Sequence, residues 1–284
     1  MTTAPPESYN DVFSHDGPAT LDRYLYHYTN PSTAAFILES MSIRLGPLTA
    51  TNDPRENREW WPSMSLEHGE PALEESEFVG FTRQVDQAMR GSVYLACFTQ
   101  DRAAEAEWNG VWNFHRGWAR ARMWQQYAGD HEGACLIIDR AAWTSAVDRL
   151  DQPTVDGVRV MQGRVEYEDR ALGWENPNGL NYLVSDLRRD GGRAVAGQRI
   201  RENAEQLFFR KNTDWMSEQE FRSLAIGLDG PAYISLADCL AAIVVGERSD
   251  ATLQSAARSV LSDPSLLAIC RWHLGAPQAL PCLP

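Results

Sequence analysis

The sequence predicts one mixed α+β domain whose strands are scattered along the chain. Three observations carry this. The 284 residues are 43% hydrophobic and 23% charged, enough apolar surface for a sizeable core and too little charge for a disordered chain. Short strand-like runs at residues 93–99, 134–138 and 241–246 alternate with segments of helical periodicity. No internal repeat, low-complexity tract or convincing linker divides the chain, so residues 21–284 read as a single domain behind a flexible or loosely docked arm, residues 1–20.

Residues 24–29 (YLYHYT) read as the first strand, with Tyr24, Tyr26 and Tyr28 on one face and Leu25, His27 and Thr29 on the other. Asn30-Pro31 supplies an N-cap and a proline at the first helical position. Ala34, Ile37, Leu38 and Met41 then keep the i, i+3, i+4, i+7 template of a short helix over 31–41. Residues 43–45 start a second strand, and Asp53-Pro54-Arg55-Glu56 has the form of a capping box with Glu56 returning to Asp53. After an acidic, turn-rich stretch at 62–76, Phe78, Phe81, Val85 and Ala88 mark a helix ending near Gly91. Residues 93–99 form a strand and 100–115 are irregular. Ala121, Trp124, Tyr127, Ala128 and His131 keep helical spacing over 118–129. A buried strand at 134–138 precedes a helix faced by Trp143, Ala146, Val147 and Leu150. Residues 158–167 alternate like a strand bulged around Gly163, and 171–193 read as a loop with a helical piece. Ile200, Ala204, Leu207 and Phe208 define a helix, and residues 219–228 a strand carrying Glu220, Arg222, Leu224 and Ile226 on one face. The tail reads as a strand at 241–246, a helix faced by Leu253, Ala256, Ala257, Val260 and Leu261, and a strand at 266–272.

Charge and motif content narrow the function. With 26 basic and 39 acidic residues the net charge is −13, which argues against an extended nucleic-acid surface, because phosphate contacts come from Lys and Arg. No apolar run approaches the roughly 18–20 residues that span a bilayer, and the N-terminus has no signal-peptide pattern, so the expectation is a cytoplasmic protein with no membrane partner. Five cysteines without a C-x-x-C read as reduced, buried thiols. Lys211 is the only lysine, which reads as composition bias. The absence of H-E-x-x-H, G-x-S-x-G, G-x-x-x-x-G-K and G-x-G-x-x-G removes four common enzyme classes. Asp130-His131-Glu132 are adjacent and point apart, so no metal is expected.

An ordered set of short motifs remains: Tyr26-His27-Tyr28-Thr29, Asn52-Asp53-Pro54-Arg55-Glu56, Cys97-Phe98-Thr99, Met123 to Ala128, Gly133 with Asp139, and Trp215 with Glu218 to Arg222. In this order, from about residue 24 to 248, they resemble the bacterial family catalogued as domain of unknown function 2971. Thr99 stands where serine is common and Phe221 where tryptophan is common. The opening segment is also similar, more distantly, to NAD-dependent ADP-ribosyltransferases of the His–Tyr–Glu type. There a histidine on the first strand is followed by an aromatic and a threonine, and a glutamate, often in Glu-x-Glu, lies on a late strand.

That second resemblance implies split, mixed or antiparallel sheets with peripheral helices, NAD as co-substrate without a metal, and transfer of ADP-ribose to an unidentified macromolecule or to water. It implies that Glu220 is the catalytic carboxylate and that His27 orients the ribose. Tyr28, Thr29, Asn52, Arg55, Tyr94, Phe98, Thr99, Trp124, Tyr127 and Glu218 are the candidate nucleotide contacts, with Tyr94, Phe98, Trp124 or Tyr127 as the aromatic plate. Families of this kind often occur as toxins or phage-defence effectors. Each residue also has a plainer reading. His27 suits a half-buried core strand, and Glu220 a solvated face paired with Arg222. Trp124 and Tyr127 suit core packing, Thr99 a turn cap, and Asn52 to Glu56 cap chemistry alone. Arg116, Arg120 and Arg122 beside Trp112, Trp118 and Trp124 form either a basic aromatic strip or snorkelling arginines over packed rings. A non-catalytic nucleotide-binding or protein-interaction module, or an enzyme on another small substrate, fits the same residues.

Overall fold

The densest apolar runs become strands that bury both faces. A computed structural model describes residues 9–13, 22–102, 112–151, 158–171 and 180–282. In chain order its elements are α1 (Tyr9–Phe13), β1 (Tyr24–Thr29), α2 (Pro31–Ser40), β2 (Ser42–Arg44), β3 (Gly46–Pro47), α3 (Pro54–Asn57), β4 (Ser63–Ser65), α4 (Glu75–Arg90) and β5 (Val93–Thr99). There follow α5 (Ala121–Gln126), β6 (Ala134–Asp139), α6 (Arg140–Asp148), β7 (Arg159–Arg164), β8 (Glu166–Tyr167), β9 (Asn181–Leu183), α7 (Val184–Asp190) and α8 (Gly192–Phe208). The chain closes with β10 (Arg210–Lys211), β11 (Glu220–Ile226), β12 (Tyr233–Ser235), β13 (Leu240–Gly246), α9 (Ala251–Val260), β14 (Leu267–His273) and β15 (Ala276–Pro281). The architecture is mixed α+β, as expected.

Nine strands form one sheet in the order β15-β14-β13-β6-β1-β5-β11-β7, with β3 added against β5. Three two-stranded pairs, β10 with β8, β12 with β2, and β4 with β9, lie off it. The large sheet is itself nearly divided. β1 pairs with β6 along its whole length, from Tyr24 opposite Asp139 to Thr29 opposite Ala134. β5 pairs with β11 along its whole length, from Glu220 opposite Thr99 to Ile226 opposite Val93. Between β1 and β5 the register holds a single pair, Tyr26 opposite Thr99. Tyr26, Thr99 and Glu220 therefore share one row across three strands, and beyond that row the two halves part.

Two apolar clusters pack against the sheet. Leu136, Ile138, Trp143, Val244 and Leu267 belong to one, which also takes in Ala96 and Phe98 of β5 and Phe221 and Ala225 of β11. Val85, Met89, Ile200, Leu207, Phe208 and Leu224 belong to another, where α4 and α8 cover the β5–β11 end. α2 forms as read: the Asn30 side chain accepts from the Thr33 amide at 3.0 Å, Pro31 opens the helix, and Ala34, Ile37 and Leu38 are its buried stripe.

Several expectations are corrected. Part of the N-terminal arm is docked: Val12 and Phe13 are buried, the Tyr9 hydroxyl donates to the Ala279 carbonyl, and Arg116 donates to the Val12 carbonyl at 2.6 Å. The rest of that arm lies outside the described residues. The break in 158–167 falls at Val165, after which β7 stays with β11 and β8 leaves for β10. β15 was not foreseen, because Pro277 and Pro281 interrupt it; an edge strand tolerates proline since one side needs no ladder bonds. The helix expected over 118–129 shrinks to α5, preceded by a 3₁₀ turn at Gly117–Ala119. Gly117 is required there, since a Cβ would fall 2.1 Å from the Tyr26 ring.

Among the described residues no basic aromatic strip forms. Arg116 is fully buried against Asp101 at 3.2 Å, and Arg120 donates to the Phe114 and His115 carbonyls. Arg122 covers the Trp215 ring, while Trp118 and Trp124 are core; the Trp112 side chain lies outside the described residues. Among the described residues, no helix is long and apolar enough to cross a membrane.

Candidate functional site

Where β1 and β5 part, the His27 imidazole occupies the gap, its Nδ1 3.0 Å from the Cys97 carbonyl oxygen. A carbonyl only accepts, so Nδ1 carries the proton and Nε2 presents a lone pair. Burial lowers the His27 pKa, against the opposing pull of that carbonyl, so the ring is held neutral. A side chain thus makes the cross-strand bond that the backbone ladder has given up.

A cavity of about 750 Å³ opens at this split. Its walls come from β1, the first turns of α2, β2, β5, β11 and the segment 50–52. Of the sequence candidates, His27, Tyr28, Asn52, Phe98, Thr99, Tyr127, Glu218 and Glu220 border it. The other four do not. Thr29 is buried opposite Ala134, and Tyr94 sits between Pro47 and Ala225 toward the far end of β5. Arg55 spends its guanidinium on the Arg170 and Gln206 carbonyls. Trp124 is buried against Tyr28, donating to the Trp118 carbonyl.

The floor is a buried charge cluster. Glu220 Oε1 lies 2.5 Å from Arg222 Nε and Glu220 Oε2 lies 2.7 Å from Lys211 Nζ. Lys211 also reaches Glu218 Oε2 at 2.9 Å, and the Tyr127 hydroxyl donates to Glu218 Oε1 at 2.7 Å. Arg222 continues to Glu56 Oε1 at 2.5 Å and donates to the Phe208 carbonyl. Lys211 lies over the Trp215 ring, and the Tyr167 hydroxyl accepts from the Glu220 amide. Two glutamates converge on one lysine because Gln219, at φ 47° and ψ 52°, turns the chain through the left-handed region between them.

The electrostatics follow from these contacts. Burial opposes ionisation of Glu220, but Arg222 and Lys211 outweigh it and hold its carboxyl at about 2. Burial disfavours the Lys211 ammonium, yet Glu220 and Glu218 overcome this and raise its pKa. Burial pushes the Glu56 carboxyl up, opposed by Arg222. Burial and Glu220 push the Cys97 thiol well up, which keeps it a neutral donor beside Glu220. With Glu56 ionised, Glu56, Glu218 and Glu220 against Lys211 and Arg222 leave one negative charge on the floor.

Four local readings change here. Glu218 ends a 3₁₀ turn at Thr213–Glu218, so only Glu220 lies on the strand. Asp53 caps α3 as expected, accepting from the Arg55 amide at 2.9 Å, but Glu56 leaves the capping box for Arg222. Glu220 does pair with Arg222, as its plainer reading had it, but the pair is buried rather than solvated. Thr99 caps no turn: its hydroxyl is buried and has no partner among the described residues. Lys211, Cys97, Arg44, Phe36 and Tyr233 also border the cavity and were not singled out for it. For Lys211 the signal was present, a single lysine just ahead of two closely spaced glutamates.

Asp130 and Glu132 both pair with Arg248 at the surface, and no three His, Cys, Asp or Glu side chains among the described residues gather as metal ligands. Residues 123–223 match the family model described as "Protein of unknown function (DUF2971)". The match is shorter than the 24–248 expected. It carries Tyr127, Lys211, Glu218, Glu220 and Arg222 and does not include Glu56, His27, Asn52 or Thr99. No curated protein and no solved structure matches the chain.

Proposed function

We propose that the cavity binds NAD and that the chain cleaves the bond between nicotinamide and ribose, passing ADP-ribose to an acceptor or to water. The observation that carries this reading is that His27 and Glu220, from strands near opposite ends of the sequence, border one cavity. Its size lies within the roughly 300–1,000 Å³ of small-molecule sites. In the reaction the C1′–N bond breaks, its electron pair leaves with neutral nicotinamide, and positive charge develops at C1′. An acceptor oxygen or nitrogen then bonds to C1′ and sheds its proton. The Glu218 and Glu220 carboxylates that border the cavity stabilise that cation as it forms at C1′. Glu220 remains anionic at neutral pH, and His27 Nε2 can accept from a ribose hydroxyl.

Both Glu220 oxygens are already held by cations, which favours a second reading: a nucleotide-binding module without turnover. Incubation with NAD separates the two. The enzyme reading expects release of free nicotinamide that Glu220→Gln abolishes while the variant still binds NAD. Saturable NAD binding with no release supports the module, and absence of binding overturns both.

A further inference from the structure

The rim of the cavity has a different character from its floor. Phe36 is 52% exposed because it lies off the stripe of Ala34, Ile37 and Leu38 that seats α2. Tyr233 is also 52% exposed, on β12, and stands directly opposite Arg44 of β2. Directly opposed residues of an antiparallel pair have Cβ atoms about 5 Å apart and share a face. Arg44 is exposed and has no ion pair or hydrogen bond among the described residues. The rim thus offers two aromatic faces left in water and a guanidinium with no carboxylate, in a chain of net charge −13.

We infer that Phe36, Arg44 and Tyr233 form a base-and-phosphate subsite, the rings stacking a purine and Arg44 holding a phosphate of the same nucleotide. This rests on the nucleotide reading above and assigns that ligand's orientation: its base–phosphate end lies at the rim and its cationic end over the acidic floor. Aromatic faces stack any planar base, and a guanidinium fork matches two phosphate oxygens. The opposite orientation would set phosphate against Glu218 and Glu220 and leave Arg44 without an anion.

The test is calorimetric titration of ADP, which lacks the nicotinamide end, into the wild type and into Phe36→Ala, Tyr233→Ala and Arg44→Gln. All three sites are exposed, and melting curves check that the variants fold. Loss of either ring should weaken ADP by roughly 5- to 100-fold. Arg44→Gln should weaken it and flatten its salt dependence. ADP affinity unchanged in all three variants, or no ADP binding by the wild type, overturns the subsite. Nicotinamide release from NAD is followed in parallel, so the two ideas fail separately. Rim-dependent ADP binding without release sustains the subsite and ends the cleavage reading, whereas release with rim-independent ADP binding does the reverse.

Discussion

Two regions of the large sheet, β6 with β13 and β11 in the other half, are alike in burial and unlike in chemistry. β6 and β13 bury Ala134 to Ile138 and Ala241 to Val245, all apolar. β11 buries every residue too, yet it includes Glu220 and Arg222, backed by Lys211, Glu218 and Glu56. In the first half burial is itself the driving force, at about 25 cal/mol per Å² of apolar area. In the second, desolvating the ions offsets much of their attraction, so the cluster adds little net stability. Low cohesion from a cluster that borders a cavity is the ground for placing the proposed site there. Function is to be sought where burial and hydrophobicity disagree.

The sharpest way to break this contrast is to cut each half once. Arg222→Met strands Glu56 and Glu220 without their shared guanidinium and should cost about 3–5 kcal/mol in urea denaturation at neutral pH. Leu136→Ala, in the apolar half, should cost about 2–5 kcal/mol. Their magnitudes overlap but their pH behaviour should not. The Arg222→Met penalty should shrink on acidification, as the stranded carboxylates take up protons, while the Leu136→Ala penalty stays level. Equal pH dependence would erase the distinction between the halves.

A smaller effect lies in the wild type. Glu220 titrates at about 2 in the fold against about 4.3 unfolded, so the unfolded chain binds the proton first. Its stabilisation is present above the unfolded value and is lost as pH falls from about 5 toward 2, by up to about 1.4 kcal/mol per pH unit. Glu56, shifted upward by burial, runs the other way and loses stability as pH rises past its unfolded value. Stability curves of Glu220→Gln should therefore show a flattened or reversed acid limb. The smallest effect belongs to the seam: His27→Ala removes the bond to the Cys97 carbonyl and should cost about 1 kcal/mol in the same denaturation assay.

Legibility in the sequence followed the same division. The apolar runs of β6 and β13 and the Asn30-Pro31 cap of α2 are local signals, and the chain obeys them. The cluster is assembled from distant places, and local grammar misleads about it. Asp53-Pro54-Arg55-Glu56 spells a capping box whose first half forms, while Glu56 finds Arg222 far along the chain. The Glu-x-Glu resemblance set Glu218 on the late strand with Glu220, and the left-handed Gln219 separates the two. Trp124 and Arg55 looked equally suited to a ligand, and only packing decided that one joins the core and the other ties down carbonyls. His27 and Glu220 were visible as residue types, but the parting of β1 from β5 that lets both border a cavity is a property of three strands together.

Lys211 is the sole side-chain amine in 284 residues, and it lies 6% exposed between two carboxylates. An acylating ester offered to the native protein thus has one lysine to find, and finds it only while that corner stands ajar. Because its two carboxylates hold the ammonium charged, labelling should be slow, and anything that settles inside the cavity should slow it further.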